Sequence, residues 1–94
     1  MVEIKKTYYL EGELYNEWVE VNGIKEGEHK EYYNGQLVRI CNYISNKKEG
    51  CYKSYHENGQ LWEIYNYVNG LREGEYKWYY ENGQLKEICN YINE

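Results

Sequence analysis

The tetrapeptide Asn-Gly-Gln-Leu occurs three times at fixed spacing, beginning at Asn34, Asn58 and Asn82. A degenerate copy, Glu11-Gly12-Glu13-Leu14, precedes them, so the glycines fall at 12, 35, 59 and 83, in steps of 23, 24 and 24 residues. Self-similarity at this period is the signature of a stacked repeat architecture, in which each unit buries its apolar surface only against its neighbours. A repeat that fills the chain builds a surface first; catalysis is a secondary expectation. The copies lie at about residues 5–25, 28–48, 51–72 and 75–94, and the whole chain, 1–94, reads as one domain.

Each copy holds two runs of six to eight residues separated by turn chemistry. The last reads Glu75-Tyr-Lys-Trp-Tyr-Tyr, then Glu81-Asn-Gly-Gln, then Leu85-Lys-Glu-Ile-Cys-Asn-Tyr-Ile. Asn-Gly between alternating runs is a strong hairpin signal, since a type I′ turn needs positive φ at both central residues. Linkers such as Asn69-Gly70-Leu71-Arg72-Glu73-Gly74 supply a second turn before the next run. With 14 Tyr and 3 Trp but no Phe, Pro, Ala or Asp, the chain favours strands over helices. The expected fold is all-β: an elongated, twisted, single-layer antiparallel meander of about eight strands. Cross-strand aromatic pairs would hold it, at roughly 0.2–1 kcal/mol each.

With Asn82 and Gly83 as a two-residue loop, Tyr80 faces Leu85, Trp78 faces Glu87 and Tyr76 faces Cys89. One face then carries Tyr76, Trp78, Tyr80, Leu85, Cys89 and Tyr91, and the other Lys77, Tyr79, Lys86, Ile88 and Ile92. In the third copy the sets are Tyr52, Ser54, His56, Leu61, Tyr65 and Tyr67 against Lys53, Tyr55, Trp62, Ile64 and Val68. The second copy lacks one residue before Asn34, which either turns its hairpin into a three-residue loop or slips its register.

These residues, and the stretch Glu73-Gly-Glu-Tyr-Lys-Trp-Tyr-Tyr-Glu-Asn-Gly-Gln-Leu-Lys-Glu-Ile-Cys-Asn-Tyr above all, resemble MORN-type repeats, in the variant class common in bacteria and large DNA viruses. The resemblance covers residues 5–94; the Tyr-Glu-Gly-x-Trp segment of the best-known MORN pattern is replaced by Leu-x-Glu-Ile-x-Asn-Tyr. It implies a twisted single-layer meander and roles in protein scaffolding or, for some members, attachment to membranes or phosphoinositides. Some bacterial relatives carry an antitoxin label.

The side chains offer little to catalysis. His29 and His56 have no nucleophile or acid partner at a useful spacing. Cys51 and His56, five apart on one strand, point to opposite faces. Glu63 and Glu87 would stand about 9–10 Å apart, a separation any repeated Glu produces. Cys41 and Cys89 share an equivalent position with Tyr65, so it is a packing position. No enzyme activity, metal or cofactor is expected. The net charge of −5 disfavours nucleic acid, and disfavours a membrane partner. Without a signal-length apolar segment, the chain reads as cytoplasmic, bacterial or in a viral host.

The rings are expected first to pack on one another. Those left over, with the open strand edges, form the candidate interaction surface: Tyr52, Trp62, Tyr67, Tyr76, Trp78, Tyr80, Leu85, Ile88 and Tyr91. The expected partner is a protein, the chain itself included, reached through the edge strands.

Overall fold

A computed structural model describes residues 1–92. Among these residues ten strands form one antiparallel sheet: β1 (Val2–Tyr8), β2 (Leu14–Val21), β3 (Ile24–Tyr33), β4 (Gln36–Ile44), β5 (Lys47–Lys48), β6 (Gly50–Tyr55), β7 (Leu61–Val68), β8 (Leu71–Arg72), β9 (Gly74–Tyr79) and β10 (Leu85–Tyr91). Eight of them run in the order β1-β2-β3-β4-β6-β7-β9-β10, while the two-residue strands β5 and β8 pair with β4 and β7. The expected meander is therefore present, extended by two short linker strands. It measures 40 × 33 × 15 Å and leaves β1 and β10 as open edges.

The turn lengths differ from those expected of the sequence: the two-residue loop expected at Asn82-Gly83 has three residues, and repeat two shows neither the three-residue loop nor the slip weighed for it. Asn34 and Gly35 both have positive φ (51° and 76°), so the second repeat has the two-residue turn. In the fourth repeat Gly83 has positive φ but Asn82 does not. There the Gly83 amide donates to the Tyr80 carbonyl (3.0 Å) and the Tyr80 amide to the Gln84 carbonyl (2.9 Å). This is a three-residue loop in which only the glycine is left-handed. Repeats one and three repeat it, with Gly12 donating to Tyr9 and Gly59 to His56, both at 2.9 Å. The residue missing from repeat two thus shortens the loop. The other consecutive positive-φ pairs sit in the linkers, at Asn22-Gly23, Ser45-Asn46 and Asn69-Gly70.

A bulge then corrects the register in every repeat. Tyr79 pairs with Leu85 and Trp78 with Glu87, leaving Lys86 unopposed. Tyr15, Val38 and Trp62 are skipped in the same way. Leu85 therefore stands opposite Tyr79 and not Tyr80, while the expected Trp78–Glu87 and Tyr76–Cys89 pairs form. A bulge reorients its extra residue, and strict alternation fails there. Trp62 stacks on His56, and Lys86 lies over Trp78 and Tyr80, although alternation puts Trp62 and Lys86 on the opposite face.

The core is small and lies on one face. Tyr52, Tyr65 and Tyr76 are 9%, 8% and 8% exposed, and Cys41, Tyr67, Trp78 and Tyr91 pack against them. Tyrosine suits this thin core because its ring is buried while its hydroxyl reaches polar neighbours.

Candidate interaction surface

Repetition places like residues side by side on neighbouring strands, and rows of side chains result. In one row Trp18 pairs with His29 and His29 with Cys41; Tyr52 pairs with Tyr65, and Tyr76 with Cys89. The rings stack: Tyr52 on Tyr65 at 4.5 Å, Tyr65 on Tyr76 at 4.6 Å, Trp18 on His29 at 5.3 Å. Tyr67, Trp78 and Tyr91 meet these rings edge-on or tilted. Such pairs contribute about 0.5–1.5 kcal/mol each beyond the area they bury.

Each linker adds a cation to the ladder. Lys25 lies over Trp18 (5.4 Å) and Tyr43 (4.9 Å), and Lys48 over Tyr52 (5.7 Å) and Tyr67 (5.2 Å). Arg72 lies over Tyr65 (5.1 Å), Tyr76 (6.0 Å) and Tyr91 (5.3 Å), and donates to the Tyr91 hydroxyl. Lys25, Lys48 and Arg72 recur at the repeat interval, a signal present in the sequence. In the fold Lys48 covers part of the core.

A polar row runs beside the rings. Glu31 pairs with Arg39, Arg39 with Ser54, Ser54 with Glu63, and Glu63 with Trp78. The Ser54 hydroxyl, 2% exposed, donates to Glu63 Oε1 at 2.9 Å, and the Tyr76 hydroxyl donates to Glu63 Oε2. Arg39 donates to Glu31. Glu63 is thereby a structural acceptor for two buried hydroxyls.

Burial shapes the titration of this face. Desolvation pushes the Tyr65 phenol well above its ordinary range, with Tyr52 adding to the rise. Desolvation raises Tyr76 too, reinforced by its bond to Glu63. Burial raises the Cys41 thiol, so it is not an activated nucleophile. Burial, then the Lys25 charge, lowers His29.

The nine candidate residues divide. Tyr52 and Tyr76 are core, and Tyr67, Trp78 and Tyr91 pack on it. Trp62, Tyr80, Leu85 and Ile88 stay exposed; Leu85 and Ile88 are each 49% accessible on the edge strand β10. On the opposite face a row alternates in chemistry, Lys30, Ile40, Lys53, Ile64, Lys77, Ile88. Sequence reading did not bring out one feature: a groove of about 1000 Å³ on the aromatic face, between the Tyr9–Tyr15 stack and the His56–Trp62 stack. Among the described residues, no group of three or more His, Cys, Asp or Glu is placed to hold a metal ion.

The model of the MORN repeat variant matches residues 25–45, 48–69 and 72–93, and the chain belongs to that family. No curated protein and no solved structure matches. MORN repeats are generally associated with binding to proteins or membrane lipids.

Proposed function

We propose that the chain is a non-enzymatic interaction module that offers the edge strand β10 to a protein partner, a second copy of itself included. The observation that carries this reading is the state of that edge. Every residue of β10 before Tyr91 is exposed, and Leu85 and Ile88 remain apolar and half accessible. An uncovered edge presents unpaired N–H and C=O groups and templates the addition of another strand. The ladder of rings supports the same assignment by elimination, because its central members are consumed as core. An antitoxin-like inhibitor would be a special case, with the partner's strand or loop laid along β10.

Light scattering coupled to size exclusion tests the self-pairing form, and co-elution with a purified candidate partner tests the other. The double substitution Leu85→Lys and Ile88→Lys is expected to abolish association in either assay without unfolding, since both side chains are already half in solvent. Association that survives it intact would remove β10 from the interface.

A second reading, a peripheral module for membranes or phosphoinositides, rests on the Lys–Ile row of the opposite face. Against it, Lys30 is paired with Glu28 (3.8 Å) and Lys77 with Glu75 (3.6 Å), which dilutes the positive field that anionic lipid needs. Flotation with phosphoinositide vesicles at physiological salt decides it: protein that stays in the dense bottom layer while the vesicles rise excludes this reading.

A further inference from the structure

The groove exists because the repetition breaks. The second repeat lacks one loop residue, and Val38 occupies the bulge position held by Tyr15, Trp62 and Lys86 in the other repeats. At the hairpin tips, Tyr9 donates to the Tyr32 carbonyl (3.0 Å), and His56 Nε2 lies 2.9 Å from the Tyr79 carbonyl, tying repeat one to two and three to four. Tyr33, at the equivalent place in repeat two, meets Tyr9 edge-on instead and is exposed. The gap opens between repeats two and three.

Its walls are aromatic and its charge is negative. Glu31, Glu57, Glu63 and Glu81 line it against one guanidinium, Arg39, which already donates to Glu31. Glu57 and Glu81 stand exposed at the rim. The rest of the same face shows what such rings accept. The clusters around Trp18, Tyr52, Tyr65 and Trp78 each lie under a Lys or Arg of the chain. Among the described residues, no Lys or Arg stands over the rings of Tyr9, Tyr15, Tyr33 or Trp62 that wall the groove. In repeat four that role falls to Lys86, whose counterpart here is Val38. A ring face attracts a cation through its quadrupole, and more strongly with carboxylates nearby and water partly excluded.

We infer that this groove binds an Arg or Lys side chain of a basic peptide segment, supplied from outside in place of the missing internal cation. The inference deepens the reading of the chain as a protein-binding module and names the chemistry of what a partner would insert.

The test is a titration of the folded chain with a tetra-arginine peptide, followed by tryptophan emission and by NMR shifts of the Trp62 indole. Tetra-glutamine and a neutral oligosaccharide serve as comparison probes. Saturable, salt-sensitive binding of tetra-arginine alone is expected. Val38→Lys, which supplies the cation internally as Lys86 does, and the rim pair Glu57→Gln with Glu81→Gln should each weaken it about tenfold. The rim positions are exposed, so that variant keeps the test valid even if Val38→Lys perturbs folding. Equal affinity in the rim variant, or binding of the oligosaccharide or tetra-glutamine in preference to tetra-arginine, would overturn the inference. Leu85→Lys with Ile88→Lys should leave the titration unchanged, so the groove and the β10 edge fail or survive separately.

Discussion

Replacing Tyr65 by Ala removes the ring at the centre of the ladder. That ring is 8% exposed, stacks on Tyr52 at 4.5 Å and on Tyr76 at 4.6 Å, and lies under Arg72 at 5.1 Å. Truncating a buried aromatic side chain costs about 3–5 kcal/mol. Two lost stacks, at about 0.5–1.5 kcal/mol each, fall within that range and argue for its upper half. A domain of this size has about 5–15 kcal/mol in total, so most of a modest stability goes. At about 4 °C or more per kcal/mol, the midpoint of thermal unfolding should fall by about 12 °C or more. Because Tyr65 joins repeat three to repeat four, the last hairpin should loosen first, and tryptophan emission from Trp78 should redden ahead of the far-ultraviolet signal. Tyr65→Phe keeps the stack and should cost less than about 1.5 kcal/mol. A loss below about 1 kcal/mol for Tyr65→Ala would refute the idea that stacked rings carry the stability of this sheet.

Arg72→Ala uncovers three rings and loses its bond to Tyr91; a loss of about 1–2 kcal/mol in urea denaturation is expected, against nearly none for Arg72→Lys if charge alone matters. The second change tests the planar guanidinium, and a cost for Lys equal to that for Ala would assign the effect to stacking and the hydrogen bond. Acid should weaken the fold through His29. Its folded pKa lies below the ordinary 6.5 because of burial and Lys25, so the unfolded chain binds the proton first. The His29 contribution is therefore complete above 6.5 and declines as pH falls below it. Unfolding free energies of the wild type and His29→Gln, measured from about pH 7 downward, should converge; parallel curves would exclude His29 as the source. At the alkaline end the raised phenols of Tyr65 and Tyr76 act in the opposite sense. The unfolded chain loses those protons from pH 10.0 upward while the folded one holds them, so stability falls above that pH, and Tyr65→Phe should shallow the fall.

Much of this fold is legible in the sequence because the repeat states it four times. The period sets the hairpins, and alternation on β9 puts Tyr76 and Trp78 on one face, where they pack with Tyr52 and Tyr65. The turn geometry is not legible from Asn-Gly alone. The same dipeptide serves a two-residue turn at Asn34-Gly35 and a three-residue loop at Asn82-Gly83, and the length of chain before it decides which. The bulge hides for another reason. Its position holds Tyr15, Val38, Trp62 and Lys86, which have no chemistry common to all four, so no pattern marks it. Alternation carried past that point misplaces Trp62, Lys86 and Leu85. The groove follows from the same blind spot: it needs both the shortened loop and the small residue at an unmarked bulge. The cations over the ladder were visible as Lys25, Lys48 and Arg72 at repeat spacing, but lysines beside a turn read as solvated until the rings beneath them are placed.

Native-state hydrogen exchange, read residue by residue, tests most directly whether rows of rings hold the sheet together and leave β10 as its open edge. The slowest amides should cluster in β6, β7 and β9 around Tyr52, Tyr65 and Tyr76, and those of β10 from Leu85 to Asn90 should exchange near the rate of local fraying. Uniform protection across all ten strands, or slow exchange in β10 of a dilute, unassociated chain, would contradict it.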